Sequence, residues 1–371
     1  MTERHKGLTA LAALGWLAMA PVTAQAQSVT CPQGAGAIAC ARPPGGSPLP
    51  PFLFNSSQAA NIQALQGMAI WSGSVLGFGN ARFASGETPQ NYIGGNIVSR
   101  TWRDKGGSIV TGGLSFPGSE SRTSVQGAAL QDIYDAGSAL GLEGDQSLYI
   151  AGFANLADSR TVYSADQRET NERDLTLSTA AAWRKGETYL IGLASVIRGH
   201  GSLGDNASGS FGRYTNSGFN AMVTAGRRLE LVDPAIRGFA MSLDLSGHVA
   251  YFEGHSGGFS DDRGTVYGKG RAQSWLGGGE ASLQFIVPGR HWRWTPYVGL
   301  TRDRYLSPHV SVDATDAQGR IDYVSRRSLG GVEAGVGMTS ARDLSLSIQA
   351  YSQGNAELND TGILLSLSRP M

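Results

Sequence analysis

The sequence predicts an all-β protein: an antiparallel, up-and-down transmembrane β-barrel of about 12 strands, or about 14, preceded by a linker and a short N-terminal helix. Three observations lead there. Apolar and polar residues alternate with period two through most of the chain. The connections between these runs are short and long by turns. After residue 26, no apolar run approaches the roughly 18–20 residues that a helical span needs.

Residues 1–26 read as a secretory signal peptide. Arg4, His5 and Lys6 give a positive start, Leu8–Ala20 an apolar run, and Ala24-Gln25-Ala26 a small-x-small cleavage site. Pro21 interrupts the apolar run before it reaches the length of a membrane anchor. Any later membrane residence must come from a closed barrel, because lipid cannot satisfy an open sheet edge.

Residues 27–54 form a Pro/Gly/Ser-rich linker that cannot bury a core. Its Cys31 and Cys40, the only cysteines, could close a small disulfide loop in an exported chain. Neither has a His or a second Cys pair at ligand spacing, so no metal site is expected. Residues 55–67 have helix formers after an Asn55 cap with Gln58 at the third position, and Gly67 ends the run. This short polar helix sits either in the barrel lumen or outside it on the periplasmic side.

Residues 68–371 carry the barrel signal. Candidate strands lie near 68–79, 92–103, 107–116, 130–142, 146–157, 174–184, 188–198, 215–230, 237–253, 272–287, 292–304, 327–340, 343–352 and 359–369. In the clearest, Met241, Leu243, Leu245, Gly247, Val249 and Tyr251 share one face, and Ser242, Asp244, Ser246 and His248 the other. The segment Ser124–Leu140 also has helical spacing, through Leu130, Ile133, Ala136 and Leu140, and reads alternatively as a helix in the lumen. Short turns are expected at Asp104-Lys105-Gly106, Glu143-Gly144-Asp145, Lys185-Gly186-Glu187, Val232-Asp233-Pro234, Pro288-Gly289-Arg290 and Ser340-Ala341-Arg342. Between them lie polar connections at 157–173, 199–214, 254–271 and 306–326. Such segregation suits an outer-membrane barrel with short periplasmic turns and long outer loops. Trp71, Trp102, Trp183, Trp275, Trp292, Trp294 and Tyr305 fall near strand ends, as interfacial girdles do.

Composition agrees with this reading. The 30 basic and 30 acidic residues cancel, so no nucleic-acid partner is expected. Glycine supplies 52 of 371 residues, twice the usual share, which fits many turns and close strand crossings.

Asp360-x-Gly362-x-x-Leu365-x-Leu367 resembles the C-terminal β-signal that the barrel assembly machinery recognises in bacterial outer-membrane proteins. Trp294–Leu300, Leu329–Gly335 and Leu344–Leu367 resemble the translocator barrel of autotransporters, a likeness running over about residues 68–371. The resemblance implies a 12-stranded barrel that holds an α-helix and carries an N-terminal passenger outward. It implies the assembly machinery and outer-membrane lipids as partners, the bacterial outer membrane as location, and a monomer. The chain departs from the family in ending Ser368-Arg369-Pro370-Met371 rather than in Phe or Trp, and in the shortness of the region before the helix.

Charged or amide residues fall on proposed inward positions: Asp244, His248, Glu280, Gln284, Asp303, Glu333 and Gln349. A charge facing mid-bilayer lipid would cost roughly 2–4 kcal/mol, so these should line the lumen, either bonding a plug or biasing an open pore. Asp244, Ser246 and His248 lie on one strand face about 6.6–6.8 Å apart, too far for a hydrolytic triad. Asp261-Asp262 offers too few oxygens for calcium. Gly330-Gly331-x-x-x-Gly335-x-Gly337 has no following helix to receive a phosphate, and close packing against the lumen contents is expected instead. No enzymatic activity and no cofactor is expected. The expected function is transport across, or anchoring in, the outer membrane, with a passive diffusion channel or a loop-borne adhesin as alternatives.

Overall fold

The computed structural model describes residues 92–104, 108–111, 114–117, 120–142, 145–163, 168–205, 209–232, 238–262, 266–267, 270–305, 309–312, 321–324, 328–342, 344–355 and 358–370. The signal peptide, Cys31, Cys40, the linker, the 55–67 helix, the 68–79 strand and Trp71 lie outside the described residues.

Thirteen strands share one antiparallel sheet, and twelve of them close into a ring. In chain order these are β1 (Tyr92–Asp104), β2 (Ser121–Asp135), β3 (Gln146–Tyr163), β4 (Arg168–Lys185), β5 (Thr188–Asp205) and β6 (Ser210–Val232). There follow β7 (Ala240–Ser256), β8 (Gly270–Pro288), β9 (Trp292–Tyr305), β10 (Ser328–Ser340), β11 (Ser345–Gly354) and β12 (Leu358–Pro370). Each strand pairs with its neighbours in sequence, and β1 closes the ring on β12 in unbroken register from Tyr92↔Pro370 to Asp104↔Leu358. The remaining strand, His309–Val312, pairs only with the start of β8.

The wall follows from the alternation. Along β4, Leu175, Leu177 and Ala181 point outward and stay exposed, while Thr176, Ala180 and Ala182 point inward and are buried. Around the ring, Leu130, Ile150, Leu156, Val196, Val223, Val298, Leu300, Ile348, Ile363 and Leu365 continue the exposed apolar belt. A patch of that extent does not face water in a soluble monomer; it is the lipid-facing band of a membrane barrel. Among the described residues, no helix is long and apolar enough to cross a membrane. Trp183, Trp292 and Trp294 sit on the outward side near the short turns, and Trp275 stacks on Tyr251 near the other end at 5.0 Å.

Five segments differ from the sequence expectation. The 107–116 strand is not in the wall: Ser108–Thr111 and Leu114–Pro117 form a ribbon with Ile321–Val324 in the long connections. Asp104-Lys105-Gly106 therefore opens a long connection and is not a short turn. The 124–140 segment is no helix, and the 130–142 strand starts earlier, at Ser121. Hydrogen bonding to β1 and β3 on both sides holds it extended, and only Ala136–Ala139 turns helical, capped by the Asp135 carboxylate on Ser138 N–H. Finally, the polar stretches 157–173 and 199–214 are mostly strand. A bilayer takes roughly 9–11 tilted residues, and β3 to β6 run 18 to 23. Their surplus continues past the belt at the long-loop end, where water rewards polar outward residues such as Asp158, Arg160 and Arg173. The 254–271 connection also folds back, with Asp261 bridged to Gly212 and Asp262 accepting the Phe211 N–H at 2.9 Å. Asp261 is consequently buried.

Candidate functional site

The inner face of the ring is the candidate site. Strand register places Asp244, His248, Glu280, Gln284, Asp303, Glu333 and Gln349 all inward, on β7 to β11. Most of them are stitched across strands. Tyr189 donates to Asp244 Oδ1 at 2.5 Å, and Arg228 Nε lies 3.4 Å from the other oxygen. His248 Nε2 lies 3.1 Å from Asp303 Oδ1, an ion pair when the imidazole is protonated. Gln349 donates to Glu333 Oε2 at 3.0 Å, and Glu280 reaches the same carboxylate. Asp244, Ser246 and His248 thus share a face, but each of the two titratable members is held by a different strand. Among the described residues, no group of three or more His, Cys, Asp or Glu could hold a metal ion.

Glycines make these reaches possible. In one register row, His248, Gly278 and Asp303 lie side by side on β7, β8 and β9. Two strand spacings separate the outer pair by roughly 9–10 Å, and the side chains meet over the middle strand because Gly278 has no Cβ. A methyl group there would overlap both Asp303 Oδ1 and His248 Nε2. Tyr214 reaches Glu172 over Gly201 at 2.6 Å in the same way. The Tyr189 ring covers Gly226, Tyr297 covers Gly335, and Tyr351 covers Gly362. Thr301 and Gln353 fill the space at Gly331. Gly331 and Gly335 of the 330–337 run therefore receive neighbouring wall side chains rather than lumen contents, and Gly330 points outward into open space.

Gly278→Ala is expected to destabilise the barrel by about 1–3 kcal/mol through overpacking, read as a lower urea midpoint in detergent micelles. Gly278→Ala/Asp303→Ala should recover part of that loss, since the carbonyl of Arg302 stays close.

The β-signal residues divide by face. Leu365 and Leu367 point into the belt, whereas Asp360 and Gly362 point inward. Asp360 is fully buried and takes a two-pronged ion pair from Arg100 of β1, with Nε–Oδ1 at 2.6 Å, and a further bond from Gln353 at 2.9 Å. This pair joins the first and last strands of the ring. Sequence reasoning passed over Arg100, whose partner lies at the other end of the chain and meets it only through the closing register.

It also passed over an apolar inner half. Val125, Ile133, Tyr149, Phe153, Ile191, Leu193 and Met222 form one buried cluster on β2 to β6, opposite the charged face. A signal for it exists: Leu190-Ile191-Gly192-Leu193-Ala194 is apolar at consecutive positions, the mark of a strand covered on both faces. The inner wall of β2 to β6 thus sets this apolar cluster beside buried Glu172, Asp174, Asn216 and Asn220, while β7 to β11 carry the carboxylates foreseen from the sequence.

No protein-family model and no curated protein matches the sequence. Solved structures do. The transport unit of the autotransporter AIDA-I from Escherichia coli aligns with 76% of this chain and 91% of its own, at 15% identity and a TM-score of 0.56. The translocator domain of autotransporter NalP from Neisseria meningitidis aligns with 86% of this chain and 98% of its own, at 11% identity and 0.57. The beta domain of the Bordetella autotransporter BrkA aligns with 76% and 100%, at 13% identity and 0.54. Identities this low speak to the fold, and the fold is a closed antiparallel barrel of the autotransporter translocator type.

Proposed function

We propose that this protein is an integral outer-membrane barrel that acts in transport across, or anchoring in, the bacterial outer membrane in the manner of an autotransporter translocator. One observation carries the reading. The ring is closed and belted for lipid, and β1 rises from the short-turn end at Tyr92. Any residue N-terminal to β1 that reaches the long-loop side of such a ring has to pass through the lumen. The inner wall suits a resident segment: its apolar cluster can hold an apolar stripe, and inward oxygens of Asn155, Asp174 and Asn216 without a wall partner among the described residues can accept hydrogen bonds from a polar one. In this reading residues 1–26 are removed on export, the barrel assembly machinery inserts the chain through its last strand, and membrane lipids surround a monomer.

Planar-bilayer conductance tests it. Refolded chain spanning residues 27–371 is expected to show little steady conductance, and deletion of 27–66 should open a stable pore. Equal, steady conductance from both would replace this reading with a passive diffusion channel. Protease applied to intact cells provides the second arm: removal of residues 28–51 with the loops left intact would place the N-terminus outside.

A further inference from the structure

The outer wall above the apolar belt carries a second feature that the lumen does not explain. The surplus lengths of β3 to β6 form a concave polar groove of about 640 Å³ on the outside of the barrel. Two register rows build it. Asp158, Arg173 and His200 lie side by side, and next to them Arg160, Asn171, Ser202 and Arg213.

The charges in these rows do not cancel. Arg173 binds Asp158 at 2.6 Å and Arg160 binds Glu169 at 2.6 Å, so both carboxylates are already taken. The Arg160 hydrogen bond holds the Glu169 carboxyl below its usual range, which keeps that pair formed in mild acid. Arg213, which lies over the Phe211 ring at 5.6 Å, and His200 have no carboxylate partner among the described residues. Arg198, one step along β5 from His200, is likewise unpaired and exposed. Its register partner Leu175 belongs to the belt, and Val196 lies one step further in. Surplus positive charge therefore runs from Arg198, on the rim of the lipid-facing band, up to Arg213 two strand steps above it.

We propose that this groove binds the phosphate headgroup of a membrane lipid in the leaflet at the long-loop end. Arg213 in the groove and Arg198 at its belt-side edge flank the phosphate, His200 and Ser202 lie between them, and the acyl chains run down over Leu175, Leu177 and Val196. A charge at this height gains from anionic headgroups, whereas a solvated face would need no surplus beside the belt. The outward Ser202 supplies a donor for a headgroup's hydroxyls, while Asn171 Nδ2 donates to Glu169 at 2.8 Å.

The proposal rests on membrane residence, and the test separates the two. The chain spanning residues 27–371, refolded in neutral detergent, is titrated with phosphatidylglycerol, with diacylglycerol of the same chains, and with glycerol phosphate, and bound lipid is counted by native mass spectrometry. Phosphatidylglycerol should be retained over both others. Arg198→Gln/Arg213→Gln should weaken it roughly thirtyfold, the effect of removing two cations from a lipid surface. Arg227→Gln, at the far end of the wall, should not. Heat-modifiable migration on a gel confirms that each variant is folded. Equal retention by the double variant overturns the proposal, and so does displacement of the lipid by an equal concentration of glycerol phosphate. Failure of the unmodified chain to fold in detergent would instead remove membrane residence itself.

Discussion

Replacing Arg100 with alanine is expected to lower the stability of the barrel by about 3–5 kcal/mol, the cost of leaving a buried partner charge uncompensated. Neither Arg100 nor Asp360 has any exposed side-chain surface, so water cannot take over when one is removed. Gln353 remains bonded to Asp360, but an amide supplies a dipole where a full positive charge stood. The pair spans 260 residues of sequence and lies across the closing seam, between strands that meet only when the ring is complete. Loss of Arg100 should therefore weaken closure rather than one hairpin. Unfolding by urea in detergent micelles, followed by tryptophan fluorescence, reads the effect. The double variant Arg100→Met/Asp360→Leu should recover most of the loss, because a well-packed apolar pair has no desolvation penalty to offset. A single variant with an unchanged midpoint would show that Asp360 is hydrated.

The same pair shows where the sequence was legible and where it was not. Asp360 stood out because its spacing to Gly362, Leu365 and Leu367 resembles a β-signal. Arg100 did not, because its importance depends on a register that joins the two ends of the chain. The lipid-facing wall was readable for a simple reason: inside the belt, solvent sorts residues with period two. Above the belt both faces meet polar surroundings, and the code fades. Asp158, Ser159 and Arg160 read as loop, although cross-strand pairing to β4 keeps them extended. Inside the ring the sorting fails in the opposite sense. Ile191 and Leu193 point inward beside outward Leu190 and Val196, so period two is masked by apolar residues on both faces. The glycine windows were visible only as composition. Which residue leans over Gly278 or Gly362 is decided by neighbouring strands, and one sequence does not reveal a register.

Val223→Arg should cost about 2–4 kcal/mol when the barrel is unfolded from lipid vesicles, because the new charge would lie against hydrocarbon near mid-belt. Val223 is 54% exposed in the ring, flanked on its face by Ala221 and Ala225 and paired across to outward Val249. On a water-bathed sheet an exposed valine tolerates arginine to within about 0.5 kcal/mol. The two environments therefore predict different numbers for one substitution. Ser217→Arg supplies the depth control. Ser217 lies on the same outward face of β6, three steps nearer the long-loop end and opposite Arg198. There a charge meets headgroups or water, and the expected change is within about 1 kcal/mol. A clear gap between the two variants in vesicles follows from membrane residence, since backbone pairing and strand propensity act equally at both sites. Equal costs would mean that the apolar belt is covered by something other than lipid. The closed ring would survive that result, while its place in a membrane would not.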